Sequence, residues 1–143
     1  MRIYFDTAYI AKCYLNEPDA KEVRQAARKA TGLYSSAWCV LELACVFRRQ
    51  VREHSINEKQ VGACRNLFLE DVRNGVWNLF PVPDRLLYRA EALVADLPSK
   101  IYLRAGDAIH LISAQEAGFS EIWTNDRHLL AAARYFGLSG KSI

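Results

Sequence analysis

Ile3-Tyr4-Phe5-Asp6-Thr7, running on into Ala8-Tyr9-Ile10-Ala11-Lys12-Cys13-Tyr14, decides the fold class. Three apolar residues rich in β-formers stop at an Asp-Thr pair, and Ala8 to Tyr14 then follows a helical pattern. A buried strand therefore feeds directly into a helix. The same alternation recurs along the chain. Pro18-Asp19 opens a helix over Ala20 to Ala30, with Asp19 as its cap and Gly32 as its stop. Leu33-Tyr34-Ser35 reads as a short strand. Ser36 then caps a helix from about Trp38 to Glu53, whose core stripe is Val40, Ala44, Phe47 and Val51. Asn57 starts another helix, with Val61, Cys64, Leu67/Phe68 and Val72 on one face, and Asn74-Gly75 ends it.

The second half repeats the scheme. Val76 to Phe80 has the content of a strand, and Pro81 and Pro83 lead to a helix from Asp84 to Leu97 that Pro98 stops. After a loop over Ser99 to Arg104, Ala105-Gly106-Asp107 begins a helix to Ala117, stopped by Gly118. Glu121 to Thr124 is a further strand, and Asn125-Asp126 caps a helix over Arg127 to Phe136. Strands interleaved with helices imply an α/β class: a central parallel sheet of four to five strands, covered on both faces in three layers. There is no internal repeat, low-complexity tract or linker, so residues 1–143 form one domain.

Composition agrees with that. At 143 residues and 51% hydrophobic, the chain is long enough for one core without covalent staples. Its four cysteines, Cys13, Cys39, Cys45 and Cys64, form no CxxC pair and lie in apolar helical stretches, where they read as small buried hydrophobes in a reducing compartment. With no apolar leader after Met1 and no membrane-length apolar run, the expected location is the cytoplasm. The net charge of +3 neither demands nor forbids nucleic acid. Basic residues do cluster, in Arg24/Arg28/Lys29 and Arg48/Arg49/Arg52.

Four acids stand where strands end or helices begin: Asp6, Glu42, Asp107 and Asp126. An Asp at such a position is often only a helix cap, worth about 1 kcal/mol, and capping accounts well for Asp126. Glu42 lies about two turns into its helix, where no cap is needed. Asp107 begins a mostly apolar helix and is followed by His110, which reads more readily as a hydrogen-bonded core residue than as a ligand. Ligands of open parallel sheets bind beyond the C-terminal strand ends, where Asp6 and Asp126 are expected, so distance in sequence is no obstacle to convergence. As a set, the four carboxylates suggest a divalent-metal site, and hard oxygen donors select Mg²⁺ or Mn²⁺.

Ile3-Tyr4-Phe5-Asp6-Thr7, Ser35-Ser36 followed by Glu42-Leu43, Leu103 to Leu111 around Asp107, and Thr124-Asn125-Asp126-Arg127-His128-Leu129 together resemble the PIN domain, and more narrowly a VapC-type toxin. The resemblance spans essentially the whole chain. It implies that Asp6, Glu42, Asp107 and Asp126 are the catalytic, metal-binding quartet, with Thr7, Ser36 and Thr124 as supporting polar groups. It further implies Mg²⁺- or Mn²⁺-dependent cleavage of RNA, a cognate antitoxin partner and a homodimer. Gly106 departs from many relatives, which carry a bulkier residue there. Asp6 and Asp107 are the expected principal ligands, with Glu42 and Asp126 as outer ligands that orient water. Arg48, Arg49, Arg104 and Arg127 are candidates to hold the RNA backbone, and Trp77 or Tyr102 to serve an interface.

Other readings fare worse. A haloacid-dehalogenase-type phosphotransferase requires a second Asp where this chain has Ala8, and a receiver domain requires a second acid beside the first strand and a late lysine. The remaining alternative is a catalytically weak PIN module that acts mainly through protein or RNA binding.

Overall fold

The computed structural model describes all 143 residues. Its elements alternate as the sequence pattern implies: β1 (Arg2–Tyr4), α1 (Thr7–Tyr14), α2 (Ala20–Lys29), β2 (Gly32–Ser36), α3 (Cys39–Arg52), α4 (Glu58–Arg73), β3 (Trp77–Phe80), α5 (Asp84–Ala95), α6 (Ala105–Glu116), β4 (Glu121–Trp123), α7 (Arg127–Ala132), a 3-10 turn over Ala133–Phe136, and β5 (Ser139–Lys141). The main sheet has three strands rather than four to five, in the order β1-β2-β3, and a separate ladder joins β4 to β5. Every pairing is parallel. A single bridge, Phe5 to Trp123, sets the two ladders edge to edge.

That arrangement creates a reversal. From β1 the chain steps outward to β2 and β3, then returns to place β4 against the other side of β1. In parallel α/β sheets, the crevice beyond the strand ends at such a reversal is where ligands bind. Here it lies between the ends of β1 and β4.

Residue alternation along β1 sorts the two layers. Ile3 and Phe5 face a core shared with α1 to α4, including Tyr9, Ile10, Leu43 and Phe47, whereas Tyr4 faces a second core with Leu86, Leu111, Ile112 and Leu129 from α5 to α7. The sheet is thus covered on both sides. No helix is long and apolar enough to cross a membrane.

Several local expectations are corrected. In α3, Phe47 is buried and Val51 packs against the core as expected, but Cys39 and Leu43 take the places expected for Val40 and Ala44, which face solvent. The start of α3 at Cys39 puts Glu42 in the first turn rather than two turns inside. Asp19 adopts a left-handed conformation (φ 65°) and makes no capping bond, and Gly32 lies in β2 rather than ending α2. Asn57 does cap α4, reciprocally with Gln60, but Leu67 on that helix is exposed while Phe68 is buried. Helix α5 stops at Ala95, and the last helix tightens into a 3-10 turn after Ala132. All four cysteines are free, as expected, yet only Cys39 is fully buried and Cys45 is exposed. Trp77 belongs to the core, while Tyr102 is exposed.

Candidate active site

Asp6 lies just past β1 and is 5% exposed. Its Oδ1 accepts the Tyr9 amide (2.9 Å), so it caps α1, and its Oδ2 accepts a short hydrogen bond from the Thr124 hydroxyl at the end of β4. Burial dominates: it pushes the Asp6 carboxyl up to about 6, against the opposing pull of those two hydrogen bonds. A carboxylate so placed favours a proton or a cation over bare charge.

Asp126 follows β4 by three residues. Its amide donates to Thr124 Oγ1 (3.0 Å), and its Oδ1 caps α7 by accepting the His128 and Leu129 amides at 2.8 and 3.0 Å. Capping leaves Oδ2 free for the cleft, where Arg104 Nη2 donates to it at 3.3 Å. Arg104 Nε also donates to Asp107 Oδ2 (3.4 Å), in the first turn of α6. These two contacts are long, and the Arg104 side chain is 60% exposed, so the clamp is weak. Burial and the neighbouring charge of Asp126 raise the Asp107 pKa despite Arg104.

Glu42 enters from the first turn of α3. Its Oε1 accepts the Thr7 hydroxyl at 2.8 Å and the imidazole Nε2 of His110 at 2.7 Å. Nε2 also approaches Thr7 Oγ1 (3.0 Å), while Tyr4 OH lies 3.0 Å from Nδ1. One assignment satisfies all of these contacts: Nε2–H donates to Glu42 and Thr7, and the Tyr4 hydroxyl donates to Nδ1. Burial raises the Glu42 pKa, but His110, Thr7 and the charge of Arg104 together outweigh it and hold the carboxyl below its ordinary value. Glu42 Oε2 rests where a side chain on residue 106 would begin: a Cβ there would meet it at 2.7 Å. That close approach gives Gly106 its structural reason.

All four acids line one open cleft of about 680 Å³, together with Thr7, Trp38, His110 and the arginines Arg49, Arg52 and Arg104. Ser36 is buried just outside, accepting the Trp38 amide (3.1 Å) and so fixing the entry to α3 rather than touching an acid. Of the arginines singled out in the sequence, Arg49 and Arg104 line the cleft. Arg48 instead pairs bidentately with Glu58, at 2.8 Å for each bond, and Arg127 is exposed elsewhere. Arg52, noted in the sequence only as part of a basic cluster, also lines the cleft; His110 is the buried, hydrogen-bonded residue expected, and Tyr4 is the one member of its network that sequence reasoning missed. A Tyr two residues before Asp6 and a buried His on α6 were the available signals for the network.

The donors suit a hard divalent cation, since they are carboxylates whose mutual repulsion helps to raise Asp6 and Asp107. As the side chains lie, no three Asp, Glu, His or Cys groups surround one point. Arg104 ties up Asp107 and Asp126, and His110 ties up Glu42 Oε1. A cation shared by Asp6, Asp107 and Asp126 would compete with Arg104 for Oδ2 of Asp107 and of Asp126, and the arginine's exposure lets it withdraw.

Two solved structures have the same architecture. The toxin VapC20 of Mycobacterium tuberculosis, described as cleaving the sarcin-ricin loop, superposes with a TM-score of 0.70 at 16% identity, covering 91% of this chain and 94% of that one. VapBC2 of Rickettsia felis, solved bound to a DNA fragment from its promoter, gives a TM-score of 0.69 at 14% identity, covering 99% and 98%. At such identities the likeness concerns the fold. No curated protein matches the chain by sequence. The PIN domain family model, however, matches residues 3–135. With nearly its whole length covered, and the acids gathered at the strand reversal, the chain belongs to the PIN domain family.

Proposed function

We propose that this protein is an endoribonuclease that hydrolyses RNA phosphodiester bonds with Mg²⁺ or Mn²⁺, as the toxin of a VapBC-type pair in the cytoplasm. One observation carries the reading: Asp6, Glu42, Asp107 and Asp126, from four separate elements, line a single cleft at the switch between β1 and β4. The cation supplies charge neutralisation at the phosphate and a more acidic water. Asp6 and Asp107 hold it, with Asp126 at the rim. The poor solvation of Asp6 makes a cation its favoured partner. Glu42, kept ionised by His110 and Thr7, has Oε1 engaged and uses Oε2 to orient and deprotonate the attacking water. Water attacks phosphorus in line with the 3′ oxygen; the P–O3′ bond breaks to leave a 5′-phosphate, and the 3′ oxygen takes a proton from solvent as Glu42 returns the one it accepted. The likeness to VapBC2 supports a cognate antitoxin as protein partner; we further propose that the toxin acts as a homodimer.

The test is cleavage of RNA by purified protein in Mn²⁺, with Asp6→Asn and Asp107→Asn beside the wild type. Each variant is expected to lose at least 100-fold in rate while keeping its circular dichroism spectrum. Full activity in either variant refutes the assignment. Wild-type synthesis without a partner is expected to arrest growth, and the Asp6→Asn form is not.

A further inference from the structure

The cleft continues beyond the acids along one stripe of α3. Trp38, Leu41, Cys45, Arg49 and Arg52 line it, and their spacings of three and four residues are those of a single helix face. From Glu42, at the acid end, Arg49 stands roughly 10 Å and Arg52 roughly 15 Å further along the helix axis. The charge changes sign over that distance.

The arginines on this stripe differ from their neighbours. Arg48 is taken up by Glu58 outside the cleft, and Arg104 by Asp107 and Asp126. Arg49 and Arg52 make no ion pair with any residue of the chain. At the acid end, beside Glu42, Leu41 is 57% exposed and Trp38 is half-buried, and Cys45, between Glu42 and Arg49, is exposed. A solvent-facing apolar strip bounded by unpaired cations suits a ligand that repeats anionic groups between flat apolar ones.

Resting on the nuclease reading above, we propose that this face of α3 is the track for single-stranded RNA on one side of the scissile bond. Arg49 and Arg52 take the phosphates that follow the one at the acids, and Trp38 and Leu41 receive the base beside the scissile bond. An acidic peptide would satisfy the arginines as well. It would, however, leave the apolar strip without a flat partner and bring further carboxylates toward the four acids.

The experiment separates this track from the chemistry. In the Asp6→Asn background with Mg²⁺, binding of a short fluorescein-labelled single-stranded RNA is followed by anisotropy across a salt series. Arg49→Ala and Arg52→Ala are each expected to weaken binding roughly five- to tenfold and to lower the slope of log K against log salt by about 0.7. Arg65→Ala, the same charge change on α4, is expected to do neither. RNA is also expected to protect Cys45 of the wild type from alkylation, mapped by mass spectrometry, where poly-glutamate does not. Unchanged RNA affinity in both arginine variants overturns the proposal, as does protection of Cys45 by poly-glutamate equal to that by RNA. Wild-type cleavage with an unaltered KM in both variants refutes the track and leaves the nuclease reading. RNA binding and Cys45 protection without wild-type cleavage do the reverse.

Discussion

The two halves of the acidic quartet are held in different ways. Asp6 and Glu42 are fixed by groups that are themselves buried: the hydroxyls of Thr124 and Thr7, the Tyr9 amide and the imidazole of His110, which Tyr4 braces in turn. Asp126 keeps Oδ1 on the His128 and Leu129 amides, but its cleft-facing Oδ2 and that of Asp107 have only one shared, exposed arginine at 3.3–3.4 Å. The first half is preorganised by the core, so its geometry survives without a ligand. The second half is adjustable, since an exposed pair of this kind contributes only about 0–1 kcal/mol and is readily exchanged for a stronger cation. A metal or phosphate arriving in the cleft thus meets one rigid wall and one that closes.

The sharpest way to break this contrast is at His110. His110→Ala removes the donor to Glu42 and Thr7, strands the Tyr4 hydroxyl and opens a cavity in a core helix. Urea unfolding is expected to register a loss of about 2–4 kcal/mol, and the RNA-cleavage rate to fall as Glu42 loses the donor that fixes it and keeps it ionised.

Asp6 gives the next largest effect, through pH. Its folded pKa of about 6 lies above the ordinary carboxylate value of about 3.9, so the native state binds the proton more tightly than the unfolded chain. Stability attributable to this group therefore rises as pH falls from 6 toward 4, and the penalty is complete above pH 6. In EDTA, Asp6→Asn is expected to be more stable than the wild type by at most about 2–3 kcal/mol at pH 7.5, and equal to it near pH 4. A constant difference across that range contradicts the assigned burial. The smallest effect is expected at Arg104. Arg104→Ala is expected to change unfolding free energy by less than about 0.5 kcal/mol while tightening Mn²⁺ binding, because Asp107 and Asp126 are released. Weaker Mn²⁺ binding in that variant would show that Arg104 organises the site.

Much of the architecture was legible because its signals are local. Caps such as Asp6, Asn57 and Asp126 act within three residues, and each is seen bonding an amide of its own helix. The misreadings arose where distant packing overrides a local pattern. On α3, Cys39 and Leu43 rather than Val40 and Ala44 join Phe47 in the core, because that is the face packed against Tyr9 and Ile10 of α1. Strand β5 is Ser-Gly-Lys, with no β-forming residue. It exists because the tight turn after α7 lays it beside β4, where Ile122 pairs with Gly140. Asp19 looked like a cap, but its left-handed backbone turns the side chain away from that role.

For the site, the sequence by itself singled out the candidate groups: four carboxylates, three hydroxyl residues near them and a cluster of basic residues on α3. Only the tertiary structure decided how they act together. His110 meets Glu42 across 68 residues and Thr124 meets Asp6 across 118, through the strand order that folds β4 back against β1. It also separated Arg49 and Arg52, which face the cleft, from Arg48, which Glu58 holds away from it. Local propensity acts over a turn or two of chain, whereas the pairing of a carboxylate with its proton donor, counter-ion or cation depends on which element ends at the same edge of the sheet.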